Sequence, residues 1–315
     1  MSKFLGIAAS ALLSIGLGGA ALAQSVVTIG TNPAGTIFNS AGSALASVMS
    51  ETAGVNARVQ PFAGSGPLMS LIEQKRLDLA IVNVFEMSQA MKGETPSTEA
   101  HPNLRVVSSL FQSSVGFLVP AKSEIKSLAD IKGHTVAAQF SSAPIIELMR
   151  KAIMANGDVA DSAVELVPVP NTVRAGDLMK GGRLDVAFLS MGSGAVSELD
   201  ATLGGVRFLS LSPEPAAQTR MQAIMPQGFA GKIAPGANRP GVGDDTYLLS
   251  YDVAVVAHKD ADPKIVEAVI TTLATQKDKL IAALPLFRSL TVAQMKGVPN
   301  IPYHDAAAGV YAKLP

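Results

Sequence analysis

Several small and hydroxyl-bearing residues stand where the pattern predicts a strand to end and a helix to begin. Free N–H groups at a helix N-terminus carry partial positive charge, and small side chains let an anion approach them. Threonine and serine hydroxyls there could add hydrogen bonds, so the set predicts a site that holds a carboxylate without a salt bridge. The predicted ligand contacts are Thr31, Gly35, Thr36, Phe38, Gly64, Ser65, Asn83, Phe140, Ser141, Ser142 and Ala143.

Each of these residues also has a purely structural interpretation. A serine or threonine before a helix is commonly an N-cap that stabilises the helix by about 1 kcal/mol. Phe38 and Phe140 are residue types more typical of a core, although both flank the predicted site. Arg58 could be a surface cation or a carboxylate clamp. Arg174 and Tyr251 are equally open.

Catalytic and metal-binding patterns are weak in this sequence. It has no cysteine, and its four histidines, at 101, 134, 258 and 304, include no pair at i, i+4 spacing. The two Gly-Ser-Gly triplets, at 64–66 and 192–194, lack the outer glycine spacing of a nucleophile elbow, and no phosphate-binding loop occurs. We therefore expect a protein that is not an enzyme and needs no metal or cofactor.

The elements around these residues follow an alternating strand, loop and helix order. A β-branched run at 26–30 precedes the first loop and a helical pattern, and two further strands are predicted at 57–60 and 79–82. A second series begins near residue 127 and repeats this order. The spacing around Arg76-Leu77-Asp78 recurs around Arg183-Leu184-Asp185. The repetition predicts an α/β protein with two similar lobes.

Two extended crossovers are predicted to join the lobes as a hinge. We expect lobe 1 to comprise residues 24–115 and 251–315, and lobe 2 to comprise residues 116–250. The stretch from 213 to 243 is rich in proline, glycine and alanine, which predicts irregular structure. A long strand over 247–257 and a helical tail should follow.

The N-terminus has the order of a secretory signal peptide. Lys3 precedes an apolar run at 4–19, and Ala21-Leu22-Ala23 stands before a polar segment. This predicts a signal peptide at 1–23, cleavage after Ala23 and a periplasmic location. Lysine plus arginine equals aspartate plus glutamate at 25 each, with no run of like charge, so nucleic acid is not an expected partner.

An ordered set of motifs resembles the TAXI solute receptors of tripartite ATP-independent periplasmic (TRAP) transporters. The carriers are Thr-Ile-Gly-Thr at 28–31, Pro-Ala-Gly-Thr at 33–36, Gly-Ser at 64–65, Leu-Ala-Asp-Ile-Lys-Gly at 128–133, Gly-Arg-Leu-Asp-Val-Ala-Phe at 182–188 and Ile-Pro-Tyr-His-Asp-Ala-Ala at 301–307. The resemblance implies a type II periplasmic-binding-protein fold and membrane permease subunits, driven by an ion gradient, as partners. It also implies a small ligand such as glutamate, 2-oxoglutarate or another organic acid.

The sequence departs from the family pattern in three places. Phe38 stands where a tyrosine is common, Asn83-Val84-Phe85 replaces a polar segment, and Phe140-Ser141-Ser142-Ala143 replaces a Gly-Ser-Gly-Thr loop. A larger or less polar acid is therefore one expectation for the ligand. A receptor of an ABC or other tripartite importer, a periplasmic sensor partner and a periplasmic enzyme are the alternatives.

Overall fold

A computed structural model describes residues 26–314, apart from residues 35, 63, 95–98, 142, 238 and 299. The predicted signal peptide, Gly35 and Ser142 lie outside the described residues. The strands are β1 (Val26–Thr31), β2 (Asn56–Pro61), β3 (Leu79–Asn83), β4 (Leu104–Pro120), β5 (Thr135–Ala138), β6 (Glu165–Pro168), β7 (Ala187–Ser190), β8 (Val206–Phe208), β9 (Phe229–Ile233) and β10 (Thr246–His258).

The helices cover the sheets and build the C-terminal part of the chain. They are α1 (Ile37–Thr52), α2 (Ser65–Glu73), α3 (Val84–Lys92), α4 (Pro144–Asn156), α5 (Thr172–Lys180), α6 (Gly194–Leu203), α7 (Pro215–Gln222), α8 (Pro263–Thr275), α9 (Lys277–Ala283), α10 (Val292–Met295) and α11 (Asp305–Tyr311). Short 3-10 turns occupy Leu128–Ile131, Asp161–Ala163 and Pro285–Ser289. Among the described helices, none has the length and apolarity needed to cross a membrane.

The first lobe is built on three parallel strands and one antiparallel strand. β1 pairs in parallel with both β2 and β3, and β10 then pairs antiparallel with β3 through residues 253–257. The sequence predicts that Ile37, Ala41, Leu45 and Val48 share the buried face of α1. The last three are buried, whereas Ile37 at the start of the helix is 41% exposed. The helical face that the sequence predicts is therefore one residue shorter at its N-terminus.

The second lobe repeats this arrangement. β5 pairs in parallel with β6 and meets the chain before β7 through a parallel bridge between Val136 and Val186. β7 pairs antiparallel with residues 115–118 of β4. Each lobe therefore places three parallel strands beside one antiparallel strand, which confirms the predicted pair of similar α/β lobes.

The strands β4 and β10 run antiparallel through both lobes. β10 pairs with β3 at residues 253–257 and with β9 at residues 246–250, so it changes its neighbour within one continuous strand. At this change Ser114 and Ser250 are direct partners, and their hydroxyl oxygens are 2.8 Å apart. The sequence predicts two extended stretches in 106–120, whereas β4 is one strand of 17 residues.

The prediction of irregular structure over 213–243 is wrong for α7 and β9, whereas the described residues at 223–228 and 234–243 form no helix or strand, as predicted. Pro215 stands at the first turn of α7, where its missing N–H breaks no intrahelical hydrogen bond. Gly231 lies within β9, and a Cβ atom there would overlap the Ser250 side chain on β10. Two residues of the types that suggested a loop thus have other roles: Pro215 begins a helix, and Gly231 allows two strands to lie close together.

Candidate functional site

Six strand-to-helix turns follow parallel strands, three in each lobe, and the carboxyl ends of parallel strands meet at the same edge of a sheet. In the first lobe they precede α1, α2 and α3, and in the second lobe they precede α4, α5 and α6. The chain ranges are 32–36, 62–64, 83, 139–143, 169–171 and 191–193. Every described residue of the predicted site lies in, or directly beside, the first four of these turns.

The first turn uses its hydroxyls to build itself. Thr31 is fully buried, and its hydroxyl donates to the Asn32 carbonyl at 3.0 Å and accepts from the Asn39 side-chain amide at 2.9 Å. Thr36 donates to the Pro33 carbonyl at 2.7 Å and accepts from the Asn39 N–H at 3.3 Å as the N-cap of α1. Both threonines have the structural role, and their contact with a ligand stays a prediction.

The turn before α2 places a buried hydroxyl at the same edge. Gly64 is the N-cap of α2 and forms no side-chain cap, which leaves the first N–H groups of the helix without a side-chain acceptor. Ser65 is 5% exposed, and its hydroxyl donates to the Asn32 side-chain oxygen at 3.3 Å. The first two turns are therefore joined by a side-chain hydrogen bond.

The turn before α3 brings an acidic side chain into the site. The Asn83 side-chain oxygen caps α3 by accepting from the N–H groups of Phe85 at 2.8 Å and Glu86 at 3.5 Å. Glu86 is 8% exposed and hydrogen bonds with Ser65. Burial raises the pKa of Glu86 to about 7, although the Ser65 hydrogen bond works in the opposite direction. This carboxyl, at the edge predicted to hold a carboxylate, was missed by the sequence analysis.

Tyr251 lies beside this acid on β10. It is 5% exposed, hydrogen bonds with Ser113 of β4, and has a charge interaction with Glu86. Burial raises the pKa of the Tyr251 hydroxyl. The hydrogen bond with Ser113 lowers this pKa in part, and the nearby Glu86 raises it by a smaller amount. The sequence left the role of Tyr251 open, and the structure places it where β4 and β10 cross between the lobes.

The second-lobe turn before α4 is held by a buried ion-pair network. Gln139 has a positive φ of 55°, and its N–H donates to the Glu147 carboxylate at 2.8 Å. Arg150 is fully buried, and its guanidinium binds Glu147 at 2.6 Å and Asp161 at 2.8 Å. The network fixes the turn that contains Ser141, which is exposed, and Ala143, the N-cap of α4.

Both predicted phenylalanines pack on other aromatic rings. Phe38 is half-buried and lies edge-on to Phe111 of β4, with ring centroids 6.4 Å apart. Phe140 is 1% exposed, and its ring packs against Phe188 of β7 at 5.8 Å. Phe38 remains near the edge of the site, whereas the Phe140 side chain belongs to the core of the second lobe.

Sequence reasoning did not include the turns before α5 and α6, or the side chains of Asn32, Asn39 and Glu86. The repeated Arg-Leu-Asp motif could have predicted the turn before α6. It precedes β3 in the first lobe and β7 in the second, so the turn after β7 corresponds to the turn after β3. Ser193 in this turn has a buried hydroxyl with no hydrogen-bond partner among the described residues. Arg58 and Arg174 are both exposed.

Two surface cavities lie away from this edge. One of about 410 Å³ is lined by Lys296, Tyr303 and Tyr311 near the C-terminus, and one of about 480 Å³ lies beside β8. Neither is lined by a predicted site residue. Within the described part of the chain, no group of three histidine, aspartate or glutamate side chains is arranged to hold a metal ion.

Comparison with known proteins gives the family. The model of the NMT1-like family matches residues 29–313. The chain belongs to the NMT1-like family. A comparison with curated proteins found no match.

Solved structures share the fold of this NMT1-like family member at low sequence identity. A TctC solute binding protein from Polaromonas has a TM-score of 0.55 at 16% identity, covering 91% of this chain and 95% of its own. The periplasmic aliphatic sulphonate binding protein of Escherichia coli has a TM-score of 0.51 at 16% identity, and the match covers 92% of this chain and 84% of that protein. A putative periplasmic sulfonate-binding protein from Methylobacillus flagellatus has a TM-score of 0.51 at 18% identity, and the match covers 82% of this chain and 68% of that protein. The predicted two-lobed periplasmic-binding-protein fold is confirmed.

Proposed function

We propose that this chain is a periplasmic solute-binding protein that holds a small carboxylate-bearing ligand between its lobes and delivers it to the permease subunits of a TRAP transporter. The observation that supports the proposal is that six strand-to-helix turns follow parallel strands, three in each lobe, and we propose that the two sets face each other across one crevice. Each turn precedes a helix whose first N–H groups lack intrahelical acceptors. Such an edge suits an organic anion.

Recognition of the ligand would combine backbone and hydroxyl hydrogen bonds. The turns before α1, α2 and α4 present small or hydroxyl-bearing residues, namely Thr36, Gly64, Ser65, Ser141 and Ala143. Hydrogen bonds from N–H groups to a carboxylate are charge-assisted and stronger than those between neutral groups. We include Gly35 and Ser142, which complete the first and fourth turns in sequence, among the proposed contacts.

Lobe closure is the proposed mechanism. We assign residues 24–115 and 251–315 to lobe 1 and residues 116–250 to lobe 2, so that both boundaries fall next to the Ser114–Ser250 pair. Two crossing strands that keep their mutual hydrogen bonds can bend or twist at this point while the lobes move as rigid units. The ligand would dock on the first lobe, and the second lobe would close over it.

A thermal-shift screen of the chain from Gln24 to Pro315 tests the proposed function. The panel contains amino acids, keto acids, dicarboxylates, aromatic acids and aliphatic sulfonates. A ligand that binds only the folded state raises the unfolding midpoint by mass action. We expect a concentration-dependent shift with one class of carboxylate. The protein is also purified through denaturation and refolding, which frees any copurified ligand. If this refolded protein shows no shift with any compound, the proposal is contradicted.

The transport partner needs a separate experiment. The fold is shared with a TctC solute binding protein and with sulfonate-binding proteins, and this likeness does not discriminate between permease types. Uptake of the ligand by cells that carry the chain and its permease should collapse when the ion gradient is dissipated and persist when ATP is depleted. The opposite pattern would favour the ABC receptor.

A further inference from the structure

A surface cavity of about 410 Å³ lies beside the last helix of the first lobe, and we name it the α11 cavity. Small-molecule sites occupy about 300–1,000 Å³ and are lined mainly by apolar and aromatic side chains with a few polar groups. The α11 cavity has this size and this character. Its described lining consists of two tyrosines, three alanines and one lysine, namely Lys296, Tyr303, Ala307, Ala308, Tyr311 and Ala312.

The two tyrosines of the α11 cavity use their hydroxyls inside the protein. Tyr303 donates to the Met295 carbonyl at 3.0 Å and accepts from the Val298 N–H at 3.1 Å. Tyr311 donates to the Val107 carbonyl of β4 at 3.0 Å. The two rings pack edge-on, with centroids 6.4 Å apart. Because both hydroxyls have partners, the tyrosines contribute an aromatic surface that requires no polar group from a ligand.

Lys296 is the charged residue of this lining. It is exposed, and its side-chain nitrogen lies 5.8 Å from the centroid of the Tyr311 ring. Among the described residues, no carboxylate oxygen lies within 4.0 Å of this nitrogen. The ammonium group is therefore held over one aromatic ring without an acidic partner, and the carboxylate of a ligand would provide that partner.

The alanines of α11 leave the space that a ligand would fill. Ala308 and Ala312 are four residues apart, so they lie on the same side of the helix, and both are exposed. A longer side chain at either position would extend into the cavity without entering the protein core. The volume of the α11 cavity therefore depends on side chains of a single carbon atom at these two positions.

The α11 cavity is separate from the proposed crevice. Tyr303 forms a parallel bridge with Val106 of β4, and Ser114, where β4 crosses between the lobes, comes eight residues later. At about 3.3 Å per residue along a strand, this separation is about 25 Å. A small molecule in the α11 cavity is shorter than this distance, so it cannot also contact the crossing of β4 and β10.

We propose that the α11 cavity is a second binding site, which takes a small aromatic carboxylate such as phenylacetate. The ring of the ligand packs against Tyr303 and Tyr311, since aromatic rings favour edge-to-face and offset contacts. Its carboxylate pairs with Lys296. An exposed ion pair is weak, so the ring contributes most of the affinity and the lysine selects an anion over a cation. The site goes beyond the proposed function and does not depend on it.

Methyl NMR of protein labelled with carbon-13 in its alanine methyl groups tests the proposal. The signals of Ala308 and Ala312 are assigned by their loss in Ala308→Leu and Ala312→Leu. Four probes are titrated: phenylacetate, benzyl alcohol, benzylamine and acetate. We expect phenylacetate to shift both signals through the ring current of its phenyl group, and to bind about 3- to 5-fold more tightly than benzyl alcohol. Benzylamine should bind more weakly than benzyl alcohol, and acetate should leave both signals unchanged.

Two pairs of variants test the two parts of the site. Lys296→Met should lower the affinity for phenylacetate to that for benzyl alcohol, whereas Lys313→Met removes a charge outside the described lining and should bind as wild type. Ala308→Leu fills the cavity and should lower the affinity for phenylacetate by roughly 10-fold or more. The control Ala201→Leu, on an exposed position of α6, should have no effect.

Three results would overturn the proposal. The first is a titration in which phenylacetate leaves the Ala308 and Ala312 signals unchanged. The second is equal affinity for phenylacetate and benzylamine, which would remove the role of Lys296. The third concerns a protein as occupant: if the blocked dipeptide N-acetyl-Phe-Asp-amide bound roughly 10-fold more tightly than phenylacetate, the cavity would be a docking site for protein side chains.

Thermal unfolding of Ala308→Leu distinguishes this site from the crevice. If phenylacetate raised the unfolding midpoint equally in Ala308→Leu and in wild type, it would act outside the α11 cavity and the proposal would be overturned. A shift that is lost in Ala308→Leu supports it. If every other compound of the thermal-shift panel failed to shift the midpoint, the proposed function would be contradicted while the second site remained supported.

Discussion

The carboxylate of Asp78 accepts two hydrogen bonds from Thr28, one from its N–H at 2.8 Å and one from its hydroxyl at 2.7 Å. The second lobe repeats this contact, since Asp185 accepts from the N–H and hydroxyl of Thr135 at 3.0 and 2.8 Å. Each carboxylate locks the entry of a third strand to the start of a first strand. The recurring Arg-Leu-Asp phrase thus has a physical meaning, because its aspartate is needed once in each lobe.

Replacing either aspartate by asparagine should lower stability. Asp78→Asn keeps one oxygen that can accept both hydrogen bonds but loses the negative charge that strengthens them, so we expect the free energy of unfolding to fall by about 1–2 kcal/mol. Asp185→Asn should have a smaller effect because the Asp185 side chain is 48% exposed. Urea unfolding measures both, with the exposed Asp244→Asn as control. If Asp78→Asn were as stable as wild type, the hydrogen bonds between Asp78 and Thr28 would not contribute to stability as proposed.

Glu86 should make the protein less stable as the pH rises from acid to neutral. Its pKa is about 7 in the folded chain and 4.5 as a free side chain, so the unfolded state loses this proton first. The stabilisation is complete below pH 4.5, declines between pH 4.5 and pH 7, and is absent above that range. Glu86→Gln should therefore be more stable than wild type at pH 8.5 by about 3 kcal/mol, and similar to it at pH 4.5. Chemical unfolding at both pH values measures the difference in unfolding free energy between Glu86→Gln and wild type. The same difference at pH 4.5 and pH 8.5 would contradict the prediction.

His304 should act in the opposite pH direction. Burial lowers its pKa, a shift that Asp305 offsets only in part, and its Nδ1 accepts from the Ala306 N–H as the N-cap of α11. Its contribution to stability is present above the unfolded-state pKa near 6.5 and is lost as the pH falls below that value. Because asparagine also caps helices, we expect His304→Asn to lose less stability than wild type between pH 7.5 and pH 5.5. Unfolding curves of the variant and of wild type at the two pH values measure this difference. An equal loss of stability in both proteins would argue against a neutral His304.

Gly231 should be intolerant of a side chain. A methyl group there would overlap Ser250, the residue whose hydroxyl pairs with Ser114 at the crossing of β4 and β10. We expect Gly231→Ala to lower the free energy of unfolding by about 1–3 kcal/mol. The control Gly309→Ala places its methyl group in open space on α11 and should stabilise the chain by about 0.5–1 kcal/mol. Thermal unfolding of both variants tests the pair, and similar midpoints would dismiss the close contact.

Arg150 should be required for the second-lobe turn. Arg150→Met leaves the carboxylates of Glu147 and Asp161 without their cation, and because these side chains are 22% and 43% exposed, we expect a loss of about 1–3 kcal/mol in unfolding free energy. Ligand affinity should fall as well, because Glu147 is the acceptor for the Gln139 N–H. The neighbouring exposed Lys151→Met serves as control for the loss of one positive charge. Full stability with unchanged affinity in Arg150→Met would show that the network does not hold this turn.

Local pattern was sufficient for most elements of the fold. The strands predicted over 26–30 and 79–82 are observed as Val26–Thr31 and Leu79–Asn83, each within one residue, because their apolar and β-branched runs are visible in the sequence. Strand β9 was missed because Gly231 is explained by a contact with Ser250, which is distant in sequence. Composition alone cannot distinguish such a glycine from one in a loop.

The candidate site was predicted only where its chemistry is local. Hydroxyl and glycine residues in the first turns, such as Thr36 and Gly64, follow directly from the strand and helix pattern. Glu86 gave no signal of this kind, because its burial depends on the packing of α3 against α2 and against β10, whose residue Tyr251 comes 165 residues later in the chain. Asn83 is among the predicted contacts, whereas the buried acid Glu86, three residues later, is not.

The continuous course of β10 has a consequence for how the chain folds during synthesis. Residues 79–83 of β3 receive their antiparallel neighbour only from residues 253–257, which lie 170 to 178 positions later. Contacts this distant in sequence form slowly. The first lobe, although its strands emerge earliest, therefore completes its sheet after the second lobe has all its residues available. A chain interrupted before β10 should expose the edge of β3, and that edge is where a chaperone would be needed.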